Sequence, residues 1–304
     1  MRTRTLRWKN PASYLFLTLM ALFFLMPIYL LLVTSMKSVA EVSRGDIWGL
    51  PDRFNFDSWR VAMFGSREAG VTALWPNFLN SIYLAVPATI ISAMLGSMNG
   101  YVLSKWKFRG ANVLFPLIMF GMFIPYQSVL VPLVQVLQRL QFGPLKLYGT
   151  IPGLILVHVV YGIPITTLIF RNYYAAIPDE MIEAAKIDGA GIFRIYGSIL
   201  FPLSVPGFVV VMIWQFTSVW NEFLFALVLT GNPRVQPITV ALNNLAGSFQ
   251  VDWSVQMAGA LMAALPTLLS ISCSAASLCA ACWPGRSRGS EDSEVRSQKS
   301  EVRS

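Results

Sequence analysis

Ile177-Pro-Asp-Glu-Met-Ile-Glu-Ala-Ala-Lys-Ile-Asp-Gly-Ala190 is the stretch on which the reading of this chain turns. It is polar and foldable, yet it lies between long apolar runs, so it is expected to project from a membrane into water. Pro178 suits a first helical turn, and Asp179 and Glu180 oppose the positive N-terminal end of the helix dipole. Asp188-Gly189 is turn chemistry. A second short helix then leads to Ile199, Pro202 and Pro206. Ala184, Ala185 and Ala190 are small and let another surface approach closely.

Working outward, 55% of the 304 residues are apolar and only 12% are charged, which excludes an ordinary soluble domain. Six apolar runs stand out: Tyr14–Thr34, Phe78–Leu103, Asn112–Val136, Ile151–Phe170, Gly207–Thr230 and Met257–Cys282. Each holds about 20 residues or more, enough at ~1.5 Å per residue to cross a hydrocarbon core of ~30 Å. An apolar segment in lipid satisfies its backbone groups within itself only as a helix. The expected fold is therefore all-α, a polytopic bundle of six transmembrane helices with the 177–206 segment as a cytoplasmic loop. The first run exceeds the apolar core of a cleaved signal peptide, and no small-residue cleavage site follows promptly, so it is read as a signal anchor.

Basic residues near span ends set the orientation. Arg2, Arg4, Arg7 and Lys9 precede the first run, Lys105, Lys107 and Arg109 follow the second, and Arg171, Lys186 and Arg194 follow the fourth. With six spans these groups share the cytoplasmic side, as do both termini. This distribution, with the C-terminal tail, accounts for most of the net charge of +8. No basic patch interleaved with stacking aromatics points to nucleic acid. The three cysteines, Cys273, Cys279 and Cys282, are odd in number and have no metal-site spacing, so no disulfide framework or metal site is read.

Several features inside the runs invite chemistry. Gly96 and Gly100 are spaced for close helix packing within the subunit. Pro116, Pro125 and Pro132 interrupt the third run, as prolines that remove a backbone donor and kink a helix. His158, the one histidine, suits either a bond to a neighbouring helix's carbonyl or a contact to substrate. Glu222 is an acid within an apolar run and should face a watery cavity or a polar partner. The loop 38–77 carries Trp48, Trp59 and Trp75, and the aromatic residues near its ends are read as interfacial anchors.

Glu183-Ala184-Ala185, Gly189 six residues after the glutamate, and then Ile199 and Pro202 together resemble the Glu-Ala-Ala loop of ABC importer permease subunits. Phe201 stands where that family usually has Leu. Phe123-Ile-Pro-Tyr-Gln127 and Trp220-Asn-Glu-Phe223 resemble segments of the sugar-type permeases, and the resemblance runs from about residue 77 to 269. It looks most like the second, maltose-type permease partner. Lys105-Trp-Lys-Phe-Arg-Gly-Ala-Asn112 and His158-Val-Val-Tyr-Gly162 look closest to glucose or mannose permeases.

The resemblance implies that Glu183, Ala184, Ala185, Asp188, Gly189, Ala190, Ile199 and Pro202 form a coupling helix and turn that dock on an ATP-binding subunit. It implies a translocation pathway touching Gln127, His158, Asn221 and Glu222. The loop 231–253, with Gln236-Pro-Ile-Thr-Val-Ala-Leu242, would reach toward a substrate-binding protein. The implied partners are a second permease subunit, two ATPase subunits, an extracytoplasmic sugar-binding protein and membrane lipid. The implied location is the bacterial cytoplasmic membrane. No Gly-x4-Gly-Lys-Ser/Thr loop, paired catalytic acids or metal-ligand cluster is present. The chain is accordingly expected to be no enzyme and to bind no cofactor, with ATP and Mg on the partner ATPases. The alternatives are a secondary transporter driven by an ion gradient, for which no internal repeat is visible, and a structural membrane protein with no transport path.

Three regions are expected: 1–76, a signal anchor and extracytoplasmic loop; 77–285, the permease core; and 286–304, a tail. The tail repeats Ser293-Glu-Val-Arg-Ser297 as Ser300-Glu-Val-Arg-Ser304 and is too polar to build a core. The abrupt change of composition suggests a reading-frame change near Ser270.

Overall fold

The computed structural model describes residues 11–68, 70–106, 108–142, 145–247 and 252–282, with the side chains of 141–145 and 273–282 excepted. The expected tail lies outside these residues. In chain order the helices are α1 (Pro11–Ser35), α2 (Val39–Ser43), α3 (Asp57–Phe64), α4 (Trp75–Lys105), α5 (Ala111–Phe120) and α6 (Tyr126–Arg139). A two-residue hairpin follows, β1 (Gln141–Phe142) antiparallel to β2 (Leu145–Lys146), with Gln141 opposite Lys146. Then come α7 (Ile151–Ala175), α8 (Asp179–Ile187), α9 (Ile192–Ile195), a π-helical turn (Tyr196–Leu200), α10 (Phe201–Leu203), α11 (Val205–Trp220), α12 (Leu224–Leu229), α13 (Ile238–Ala246) and α14 (Trp253–Cys282).

Among the described residues, α1, α4, α7 and the Trp253–Ser272 part of α14 are each long and apolar enough to cross a membrane. The segments Ile192–Leu203 and Val205–Trp220, bent by 78° at their junction, count as a fifth if taken as one span. The third and fifth apolar runs differ from the single helices expected. The third is two helices, α5 and α6, separated by Gly121–Pro125. Pro125 caps α6 and marks the break, whereas Pro116 and Pro132 lie inside helices. The fifth is also two helices, α11 and α12, parted at Asn221–Phe223.

The chain divides into two compact units, Met1–Asn80 with Gln236–Leu265, and Ser81–Val235 with Pro266–Ser304. In the first unit Ala62, Leu74, Val255, Ala258 and Met262 form the core. Trp59 packs against this core. A β-carbon on Gly259 would meet Leu74 and Leu242, so the absence of a side chain there permits the packing. Asn77 and Asn80 both donate side-chain N–H bonds to the Gln236 carbonyl, at 2.7 and 3.2 Å. Of α1, only Val33, Thr34 and Ser35 are buried. An apolar helix so exposed suits lipid, where its backbone is satisfied internally.

In the second unit, α4 packs on α7 through the paired glycines of its sequence. A β-carbon at Gly96 would run into Thr166, and one at Gly100 would lie 2.8 Å from the Phe170 β-carbon and the Arg171 nitrogen. Close backbone approach also places hydroxyls in reach of carbonyls: Thr166 Oγ1 donates to the Ser92 carbonyl at 3.1 Å. Small residues with such bonds are the usual means of helix association in lipid, where the hydrophobic effect supplies no drive between helices.

Candidate functional site

The polar stretch forms the structure its residues imply. Asp179 and Glu180 occupy the first turn of α8 and Lys186 the last, each complementing the helix dipole. Gly189 adopts a φ of +76°, a conformation that side-chain-bearing residues rarely take. Its N–H bonds the Lys186 carbonyl at 3.0 Å, and the Ala190 N–H bonds the Ala185 carbonyl at 2.9 Å. These two bonds are the Schellman pair that closes a helix C-terminus.

One face of this loop is fixed to the bundle. Ile182, Ile195 and Leu200 are buried with Tyr101, Phe170 and Tyr174, and Ala185 and Ala190 pack against them. Lys105, at the end of α4, donates to Asp179 Oδ1 at 2.6 Å and to the Ile177 carbonyl at 2.5 Å. The Lys186 ammonium lies 4.5 Å from the Trp106 ring centroid, a cation–π contact. Deeper, Tyr196 donates to Ser97 Oγ at 2.9 Å, and Ser97 Oγ lies 2.5 Å from the Tyr174 hydroxyl. Tyr174 in turn reaches Ser204 at 3.2 Å. The bonded chain joins α4, α7, the π-helical turn and the bend before α11.

The opposite face is bare. Glu183, Ala184, Asp188 and Gly189 are exposed, and Ile187 and Phe193 are 87% and 75% exposed. Ile199 is half-buried in the π-helical turn, and Pro202 is exposed in α10. The eight predicted loop residues thus fall on one continuous hairpin of short helices. Five of them, Glu183, Ala184, Asp188, Gly189 and Pro202, are exposed, while Ala185, Ala190 and Ile199 lean toward the bundle.

A second site lies inside the same unit. A cavity of about 490 Å³ is bounded by Tyr126, by His158, Tyr161 and Ile165 on one face of α7, by Gln215 and Ser218 on α11, and by Asn221–Phe225. Its floor is the break between α11 and α12. Asn221 Nδ2 donates back to the Thr217 carbonyl at 2.9 Å, ending α11. The Glu222 carboxylate accepts the N–H groups of Phe225 and Ala226, at 2.7 and 3.3 Å, and so begins α12. An acid in an apolar run is accommodated here as a helix cap, by donors that otherwise lack partners. His158 Nε2 lies 3.7 Å from Glu222 Oε2. Phe225 stands among rings, with Tyr161, Tyr126 and His158 centroids at 5.0, 5.6 and 5.8 Å.

Three of the four predicted pathway residues, His158, Asn221 and Glu222, therefore line one cavity. Gln127 does not: it is exposed on α6, and its neighbour Tyr126 borders the cavity instead. Tyr161, Gln215 and Ser218 were not singled out in the sequence. Tyr161 carried a signal, lying three residues from His158 on one helical face. Gln215 carried one as a polar residue in an apolar run. It is buried, with its amide 3.4 Å from Ser92 Oγ. Among the described residues no cluster of His, Cys, Asp or Glu could hold a metal.

Comparison with known proteins assigns the chain. Residues 86–278 match the family model described as binding-protein-dependent transport system inner membrane component. A probable ABC transporter permease protein of Pyrococcus horikoshii is 53% identical over 171 residues, covering 56% of this chain and 60% of that one. The xylose/arabinose import permease protein XacI of Haloferax volcanii is 35% identical over 279 residues, covering 86% and 88%. A bacterial ABC transporter involved in import of the acidic polysaccharide alginate contains a chain with the same fold. It superposes with a TM-score of 0.73 at 21% identity, over 90% of this chain and 97% of that one. Nothing in these likenesses supports the ion-gradient alternative. The chain belongs to the binding-protein-dependent ABC transport inner membrane component family, as a multi-pass permease subunit.

Proposed function

We infer that the chain is the permease subunit of an ATP-driven sugar importer, in which closure of the ATPase subunits pulls on α8 and rocks the helices between inward- and outward-open states. Its partners on this reading are a second permease subunit, two ATPase subunits and an extracytoplasmic sugar-binding protein. The chain itself binds no cofactor; ATP and Mg belong to the ATPases, which carry out hydrolysis. Both termini and α8 are cytoplasmic, in the bacterial inner membrane, and the permease core spans residues 77–285. Sugar as cargo is supported by the likeness, over 86% of this chain, to a xylose/arabinose import permease.

The observation that carries the reading is the construction of α8. One face is bonded to α4 through Lys105 and Asp179 and packs by Ile182 and Ala185 against the cluster of Tyr101, Phe170 and Tyr174, and the other leaves Glu183 and Ala184 exposed beside Ile187. A helix held so firmly on one side transmits force applied to the other, through bonded and packed contacts with few alternative arrangements. Glu183 is placed to pair with a basic residue of the ATPase, and Ala184 and Gly189 permit close approach.

Glu183→Lys and Ala184→Trp test this in the assembled importer in proteoliposomes. Both positions are exposed, so insertion and assembly should persist. Uptake should fall about tenfold or more, the loss of one interfacial charge pair or of close packing, while ATP hydrolysis continues. Wild-type uptake by both variants in fully assembled complexes would remove α8 from the coupling path.

A further inference from the structure

Four hydroxyls between α4, α7 and the segment after α9 form a chain with one direction. Tyr196 donates to Ser97 Oγ, Tyr174 donates to Ser204 Oγ, and Ser204 Oγ donates to the Phe201 carbonyl at 3.0 Å. With both tyrosine protons so committed, the bond between Ser97 and Tyr174 takes its proton from Ser97. Ser97, Tyr174 and Ser204 are fully buried. The two ends of the chain fall on the two departures from α-helix between α9 and α11. One is the π-helical turn Tyr196–Leu200, where the Phe201 N–H reaches back to the Tyr196 carbonyl. The other is the 78° bend between Ile192–Leu203 and Val205–Trp220, at which Ser204 stands. Helical turns of the π and α kinds differ by one residue of register, so the segment has discrete arrangements and not a continuum. A β-carbon at Gly197 would meet nothing within 4 Å, so crowding at that residue does not impose the turn. Tyr196 also stacks on Tyr101 of α4, with centroids 5.8 Å apart.

We propose that Ser97, Tyr174 and Tyr196 are positioning residues for coupling. Their hydroxyl chain latches the π-helical turn and the Ser204 bend to α4 and α7, so that a push on α8 reaches α11 as one movement. The proposal rests on the reading that α8 receives the ATPase force, and deepens it by naming the route inward. With the chain broken, the turn and the bend absorb the displacement locally, as hinge residues do. The links act together, because each bond fixes the next donor and a buried hydroxyl left unmatched is costly. Thr166 supplies the contrast. Its Oγ1 donates to the Ser92 carbonyl, joining α7 to α4 without touching the turn or the bend.

The test follows α11 directly, with a nitroxide on Ser218→Cys in the assembled importer and Cys273, Cys279 and Cys282 replaced by serine. Ser218 is exposed on α11, and its spectrum is recorded with and without Mg-ATP. ATP should change the spectrum, and Thr166→Val should leave that change intact. Tyr174→Phe and Tyr196→Phe should each shrink it about fivefold or more, the loss of one or two buried bonds, while ATP hydrolysis continues. A change of full size in both tyrosine variants overturns the latch. An equal loss in Thr166→Val does so too, since the chain would then be ordinary packing support. A spectrum that ignores ATP before any of these substitutions overturns it as well, because α11 then does not move. Tyr196 is half-buried, so Tyr196→Phe decides the matter even where Tyr174→Phe fails to assemble. Glu183→Lys separates this proposal from the reading beneath it. Loss of the change in Glu183→Lys alone sinks the latch and keeps α8 as the point of entry. Loss in the tyrosine variants alone supports the latch and moves the point of entry away from α8.

Discussion

Gly189 and Gly100 are both irreplaceable in kind, for different physical reasons. Gly189 sits at φ +76° with open space where a β-carbon would go, so its constraint is conformational. Gly100 lies in ordinary helix, but a β-carbon there would stand 2.8 Å from backbone and side chain of α7, so its constraint is packing. Gly189→Ala should therefore cost about 1–2 kcal/mol, the strain of the left-handed region, felt only locally. Hydrogen exchange of the 185–192 amides should speed up while global melting hardly moves. Gly100→Ala should cost about 1–3 kcal/mol through overpacking, and lower the melting temperature of the whole complex. Equal melting temperatures for the two variants would show the α4–α7 contact to be looser than drawn. Both roles were legible in the sequence, since Asp188-Gly189 is turn chemistry and Gly96 and Gly100 are a packing spacing. Gln127 was not legible in the same way. Successive helical residues point about 100° apart, and α6 begins at Tyr126, so the tyrosine borders the cavity and the glutamine does not. That phase depends on where the helix starts, which three prolines in one run leave open.

At the scale of elements, helix ends carried more information than helix spans. Helix α2 begins with a capping box: Glu41 Oε2 accepts the Ser38 N–H at 2.7 Å, and Ser38 Oγ caps Glu41 in return. Glu41 Oε1 also accepts the Asp52 N–H at 2.9 Å, tying the helix to the loop beyond it. Hydrogen bonds from the Ser38 backbone and then from Asp52 hold the Glu41 carboxyl below its usual range. Because the folded value is the lower one, this contribution is present above the unfolded pKa and fades as pH falls through the folded one. Exchange protection of residues 38–52, corrected for intrinsic rates, should therefore drop on acidification, and Glu41→Gln should abolish the step. A step of unchanged size in the glutamine variant would place its origin elsewhere. The breaks within the third and fifth runs were harder to read. Hydropathy reports that a segment is apolar, not that it is continuous. Glu222 was rightly read as needing a polar partner, but that the partner would be two N–H groups of its own chain, ending one helix and starting the next, was not visible from the residue alone.

For the whole molecule, composition and run length sufficed for a membrane bundle, and the Glu-Ala-Ala spacing sufficed for the importer family. Both are local or additive signals. The allocation of Gln236–Leu265 to the same compact unit as Met1–Asn80 was not legible, because it rests on contacts such as Asn77 to the Gln236 carbonyl, far apart in sequence. On the proposed function, α8 is the place where ATPase force enters. A photo-crosslinking amino acid at Ile187, 87% exposed on that helix, tests this most directly in native membranes holding the intact importer. The same probe at Asp57, expected outside the cytoplasm from the distribution of basic residues, is the comparison. The account predicts an adduct with an ATP-binding subunit from position 187 and none from 57. An ATPase adduct from 57 with none from 187 would contradict both the orientation and the coupling role.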